Sequence, residues 1–147
     1  MLNRLLQKFY RSPNNGKQVG TLPDGRRFLC RHSEIAGPCA ISICVSSTEQ
    51  PHRNDDFGQE VLLIGGSDAL AGADAPGYAA CALCTPDDRL HLVWTTEGKI
   101  LHASAPIENV LEKDAWSESD TVVEGDVWLG DFCLLESEPC AVFRRGE

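Results

Sequence analysis

The chain opens with apolar residues at helical spacing, Leu2, Leu5, Leu6, Phe9 and Tyr10, and the Pro and Gly of "SPNNG" at 12 to 16 end the pattern. This predicts a short amphipathic N-terminal helix. A helix of that length is marginal alone in water, so its apolar face requires a docking surface. The period then changes from helical to alternating. "KQVGTLPDGRRFLCRH" reads as two strands joined at Pro23, Asp24 and Gly25, with Phe28 and Cys30 on one face and Arg27, Leu29 and Arg31 on the other. In "CAISICVSS", Cys39, Ile41, Ile43 and Val45 alternate with Ala40, Ser42, Cys44 and Ser46. The polar stretch "TEQPHRNDDFGQ" predicts a mobile connection, "VLLIGG" a short buried strand, and "SDALAGADAPG" an irregular loop.

The clearest part of the pattern lies at 78 to 104. "YAACALC" and "RLHLVWTT" flank the turn "TPDD", and "TTEGKILHAS" repeats the hairpin pattern around Glu97 and Gly98. Leu90, Leu92 and Trp94 fall on one face, and Arg89, His91, Val93 and Thr95 on the other. "APIENVLEKDAW" at 105 to 116 begins with Pro and spaces Ile107, Val110 and Leu111 by three and four positions, which predicts a second short helix. "DTVVEGDVWLGDFCLLESEPCAVFRR" reads as two or three strands broken at Gly125, Gly130 and Pro139. The expected fold is therefore α+β: one domain over 1–147, mainly an antiparallel meander, with the N-terminal helix and the 105 to 116 helix packed on it. An all-β sandwich or small barrel is the alternative if the 105 to 116 segment is extended. Trp94, Trp116 and Trp128 are expected as core or interface anchors.

Composition narrows the classes of partner. Residues 1 to 53 carry eight Lys or Arg against three Asp or Glu, and residues 54 to 147 carry five against nineteen. So acidic a second half repels phosphate backbones, which argues against nucleic acid as the main partner. No apolar run is long enough to span a membrane. The N-terminus lacks the continuous apolar stretch of a secretory signal. With seven cysteines, an odd number, this predicts a cytoplasmic protein with free thiols rather than a disulfide framework.

Candidate chemistry is sparse. Cys81 and Cys84 have the spacing of a metal or redox pair. On a regular strand, however, they face opposite sides, and no helix N-terminus follows to activate a thiol. No phosphate-binding glycine motif follows "VLLIGG". His91 and His102 lie on neighbouring predicted strands, and Arg26, Arg27 and Arg31 form the densest basic group, suited to a carboxylate or phosphate. These five residues are the candidate binding residues. No residue is assigned a catalytic or metal-ligating role, and no cofactor is implied.

"DDRLHLVWTTEGKILHAS" resembles one hairpin of a sialidase-like propeller blade. The resemblance covers fewer than twenty residues, the family's Ser-x-Asp-x-Gly-x-Thr-Trp box is absent, and no family residue carries over. The expectation is a non-enzymatic protein-binding or adaptor domain that self-associates through its N-terminal helix or a sheet edge. The alternatives are a small hydrolase built on a His/acid or Cys/His site, and a zinc-stabilised binding module.

Overall fold

The structure, a computed structural model, describes residues 17–32, 40–65, 78–96 and 98–146. The expected helix at 2 to 10, the loop at 67 to 77 and Cys39 lie outside these residues. Ten strands run through the rest: β1 (Lys17–Thr21), β2 (Arg27–His32), β3 (Ile41–Val45), β4 (Val61–Ile64), β5 (Tyr78–Thr85), β6 (Arg89–Thr96), β7 (Lys99–Pro106), β8 (Asp120–Glu124), β9 (Val127–Leu135) and β10 (Glu138–Arg145). All pairings are antiparallel between neighbours in sequence: β1-β2-β3-β4, β5-β6-β7-β8, and the hairpin β9-β10.

The α+β expectation is overturned, because no α-helix occurs among the described residues. The segment expected as a helix at 105 to 116 is the end of β7 followed by 3-10 turns at Ile107–Asn109 and Lys113–Ala115. Two facts decide this. Pro106 pairs with Arg89 as the last rung of the β6–β7 ladder, so the strand claims the predicted helix start. The indole N–H of the buried Trp116 donates to the Val110 carbonyl at 3.0 Å, taking an acceptor that a helix would use for its own ladder. Glu112 between the turns is extended.

The two four-stranded sheets enclose one apolar core. The first contributes Phe28, Cys30, Ile41, Ile43, Val45, Leu63 and Ile64, and the second Ala80, Ala82, Leu90, Leu92, Trp94, Leu101, Ala103 and Ala105. This is the stacked-sheet alternative of the sequence reading. Large and small residues interleave. Leu92 lies between Ala82 on β5 and Ala103 on β7, and Leu90 faces Ala105, so the alanines make room for the β6 side chains. The ring of Phe28 covers Gly20 opposite, and a Cβ on Gly20 would lie 2.1 Å from that ring.

The second sheet also packs on its other face. Cys81, Val93 and Ile100 meet Val127 and Leu129 of β9, with Phe132 and Ala141 alongside, so the β9–β10 hairpin forms a third layer. The Leu129 N–H donates to the buried Thr95 hydroxyl at 3.0 Å, tying β9 to β6. The expected breaks at Gly130 and Pro139 do not occur. Gly130 is the extra residue of a bulge opposite Val142 and Phe143, and the hairpin turns at Glu136-Ser137, both with positive φ (49° and 71°). Pro139 sits inside β10. In a two-residue hairpin the pair next to the closing one is not hydrogen-bonded, which suits a residue without an N–H.

Two outcomes follow. Trp94 is fully buried, and among the described residues no acceptor reaches its indole N–H, whereas Trp116 is bonded. Trp116→Phe should therefore cost about 1–3 kcal/mol in chemical unfolding, and Trp94→Phe markedly less, since it also removes an unsatisfied donor. Ser137→Gly should raise stability by up to about 1–2 kcal/mol, because glycine adopts a positive φ without the penalty a side chain carries. An unchanged midpoint would show that the turn is not strained.

Candidate functional site

Because β6 gives Leu90, Leu92 and Trp94 to the shared core, alternation points His91, Val93 and Thr95 to its other face. On β7 the same face carries Ile100, His102 and Ser104. In register His91 faces Ser104 and His102 faces Val93, so the two histidines are diagonal neighbours, close enough for rings to touch. The rings lie within 21° of parallel and meet edge to edge, with centroids 5.2 Å apart and His91 Nδ1 2.9 Å from His102 Nε2. His91 Nε2 is 3.0 Å from the hydroxyl of Thr85 at the end of β5. Thr85 is in turn bonded to the Asp87 carboxylate across the Pro86-Asp87-Asp88 turn.

The direction of this chain follows from its last member. Accepting the Thr85 proton and little buried, Asp87 is held ionised below the ordinary carboxylate range, so it can only accept. Thr85 therefore donates to Asp87 and receives the His91 Nε2–H. His91 Nδ1 is then an acceptor and receives the His102 Nε2–H. One orientation runs through four side chains, from His102 to Asp87.

This arrangement limits the chemistry. A hydroxyl nucleophile needs its proton directed at the histidine base, whereas the Thr85 proton is directed at Asp87. His91 orients Thr85 rather than activating it. Among the described residues no group of three or more His, Cys, Asp or Glu is placed to hold a metal ion. Cys81 belongs to the hairpin-side cluster while Cys84 packs on the shared core, so the two face opposite ways. Burial raises the Cys84 thiol to about 11 and also raises the Cys30 and Cys44 thiols.

A cleft of about 310 Å³ opens above His91, lined by Thr85, Pro86, Asp87, Ser137, Glu138 and Pro139. The tip of the β9–β10 hairpin thus seats against the β5–β6 turn. A larger cleft of about 730 Å³ lies on the other side of Asp87, between Asp24 and Arg26 of the β1–β2 turn, Asp88, Arg89 and Glu108. Arg89 bonds the Ser104 hydroxyl through Nε and Nη2 at 3.3 and 2.8 Å.

The three candidate arginines do not converge. Arg26 pairs with Asp24 at 2.7 Å on the surface, Arg27 bonds the Thr21 hydroxyl, and Arg31 pairs with Glu60 at 3.1 Å in a half-buried cluster that includes Ser42. Sequence reasoning passed over Thr85 and took Asp87, weighed with Asp88 as a carboxylate pair, for a solvated acid of the "TPDD" turn. The available signal was a hydroxyl two residues before a carboxylate across a proline turn, a local bonding pattern.

The outer face of the β9–β10 hairpin is the other feature of the molecule. In register Trp128 faces Arg144, Cys133 faces Cys140 and Leu135 faces Glu138, while Val142 lies at the bulge. These point away from Val127, Leu129, Phe132 and Ala141, which seal the core. Leu135, Val142 and Trp128 are 63%, 51% and 46% exposed.

Among the described residues no helix is long and apolar enough to cross a membrane. Compared with family models, curated proteins and solved structures, the chain matches none.

Both histidines hold their protons less readily than the ordinary 6.5. Burial is the main cause for each. His102 and Arg89 add to it at His91, and Arg89 at His102, against the opposing pull of Asp87 and Glu138 on the first and Asp120 on the second. The unfolded chain thus protonates before the folded one. Their contribution to stability is whole above pH 6.5 and declines as pH falls from there through the lower folded values. Urea unfolding at pH 7.5 and 5.5 should show this loss, and the double variant His91→Gln/His102→Gln should reduce it. An equal loss in the variant would place the pH dependence elsewhere.

Proposed function

We propose that this protein is a non-enzymatic, cytoplasmic protein-binding domain that associates with a second copy of itself through the outer face of the β9–β10 hairpin. The observation that carries this reading is that Trp128, Leu135 and Val142, three of the five exposed large apolar side chains of the hairpin, share its outer face, while Leu134 and Phe143 lie on the inner one. Single exposed apolar residues are ordinary, but Trp128, Leu135 and Val142 share one side of a two-stranded ribbon with Cys133 and Cys140. Such a face, bordered by charge, has the composition of an interface.

Charge supports a second copy as the occupant. On this face β10 begins with Glu138, two residues after Glu136 of the turn, and ends with Arg144. A two-fold axis through the middle of the hairpin lays the acidic end of each copy over the basic end of the other, the self-complementarity that an isologous contact requires. Contact through the β10 edge is less favoured than contact through the face, since Pro139 removes a donor from that edge and Arg144 and Arg145 guard it. The acidic residues 54 to 147 keep phosphate backbones from competing.

Light scattering coupled to size exclusion, at several protein and salt concentrations, tests the proposal. A dimer that weakens with salt is expected. Val142→Asp should raise the dissociation constant about tenfold or more while the far-UV spectrum stays that of folded sheet. Glu138→Arg and Arg144→Glu should each weaken the dimer, and the two together should restore it. A strict monomer at every concentration would overturn self-association.

A further inference from the structure

Cys133 and Cys140 face each other directly across β9 and β10. They differ from the other described cysteines in position. Cys30, Cys44 and Cys81 are buried, and Cys84 packs against the shared core. Cys133 is exposed and Cys140 half-buried on the outer face of the hairpin. Both are free thiols, and the Cys133 sulfur already leans across the ribbon to within 3.8 Å of the Cys140 carbonyl oxygen.

We propose that Cys133 and Cys140 are a reversible dithiol–disulfide site that closes a cross-strand bond within the hairpin on meeting a low-molecular-weight disulfide. Directly opposed residues in an antiparallel ladder have Cα atoms about 4.5–5.5 Å apart, inside the span of about 4.4–6.8 Å that a disulfide bridges. Counting from the two-residue turn, Leu135 and Glu138 close the ladder with hydrogen bonds, Leu134 and Pro139 do not, and Cys133 and Cys140 do again. At such a rung the Cβ atoms stand toward the far end of about 4.5–5.5 Å, against about 3.8 Å in a relaxed disulfide. The strands must draw together to close the bond. A bond formed in this way is exposed and easily reduced, which are the properties of a switching disulfide rather than a structural one.

The chemistry balances with one molecule of oxidant. The Cys133 thiolate attacks one sulfur of the small disulfide, whose S–S bond breaks and releases one thiolate that takes up a proton. The Cys140 thiolate then attacks Cys133 Sγ, breaking the mixed disulfide and releasing the second small thiol. Two protein thiols are oxidised, and one disulfide is reduced to two thiols. The site lies within one chain, and because self-association through the same face would cover it, the exchange takes place on the dissociated chain.

The test is incubation of the full chain in glutathione buffers of graded oxidation, then alkylation, cleavage after Glu136, which lies between the two cysteines, and mass spectrometry without reductant. The expected product is a Cys133–Cys140 link within monomeric chains, reversed by dithiothreitol, with the buried cysteines left as thiols. In Cys140→Ser the reaction should stop at Cys133 bearing glutathione, since the second attacking sulfur is gone. Glutathione on both cysteines without a link, a link only between chains, or links through the buried cysteines would each overturn the proposal. The variant Val142→Asp, whose outer face stays uncovered, should form the link at least as fast as the parent, which separates this outcome from that of the self-association test.

Discussion

Strand β6 is almost without a solvent face, and the rest of the architecture follows from covering it. Leu90, Leu92 and Trp94 are fully buried against the first sheet, and Val93 and Thr95 are buried to within 1% against the hairpin. A strand buried on both faces needs a layer on each side, so neither the meander alone nor the meander with one covering sheet suffices. The same constraint disciplines the polar residues. Thr95 is tolerated because its hydroxyl accepts the Leu129 N–H, a bond that helps hold the third layer in place. His91, at the margin of that layer, is served by neighbours on both nitrogens.

Much of this sheet was legible in the chain. Period-two alternation between turns rich in Pro, Asp and Gly placed β5, β6 and β7 and assigned the faces of β6, because a one-residue slip would turn the whole apolar set to solvent. The segment at 105 to 116 misled for a physical reason. Three apolar positions at helical spacing fit two turns of helix, but so short a helix has little stability of its own, and the Trp116 indole bond and the Pro106–Arg89 rung outweigh it. The β9–β10 turn was missed because Glu136 and Ser137 give no turn signal. Gly130 and Pro139 do give one, yet they serve as a bulge and an edge residue. That the hairpin forms a separate third layer is a long-range packing result which no local pattern encodes.

The candidate residues divide in the same way. His91 and His102 could be placed on one face from alternation, but their contact depends on register, and the link to Thr85 and Asp87 depends on the geometry of a turn. The arginines show how sequence proximity deceives. Arg27 and Arg31 share a strand face, yet four residues of strand separate them by roughly 13 Å. Each meets a different partner within its own reach. Cys81 and Cys84 fail as a joint site for the opposite reason, since an odd spacing on one strand turns them to opposite faces of it.

The hairpin joins these threads. A two-stranded ribbon is marginal alone, and this one is held through its inner residues and the Thr95 bond. Nothing in that role requires apolar side chains on its outer surface. Polar residues there would seal β6 as well and keep the protein more soluble. Leu135 and Val142 are therefore exposed without a structural need, and they stand beside the exposed Cys133 and the half-buried Cys140. A layer that is indispensable on one side and apolar without structural need on the other is where a binding surface costs the fold least. Its inner face is already committed, and its outer face is free to vary.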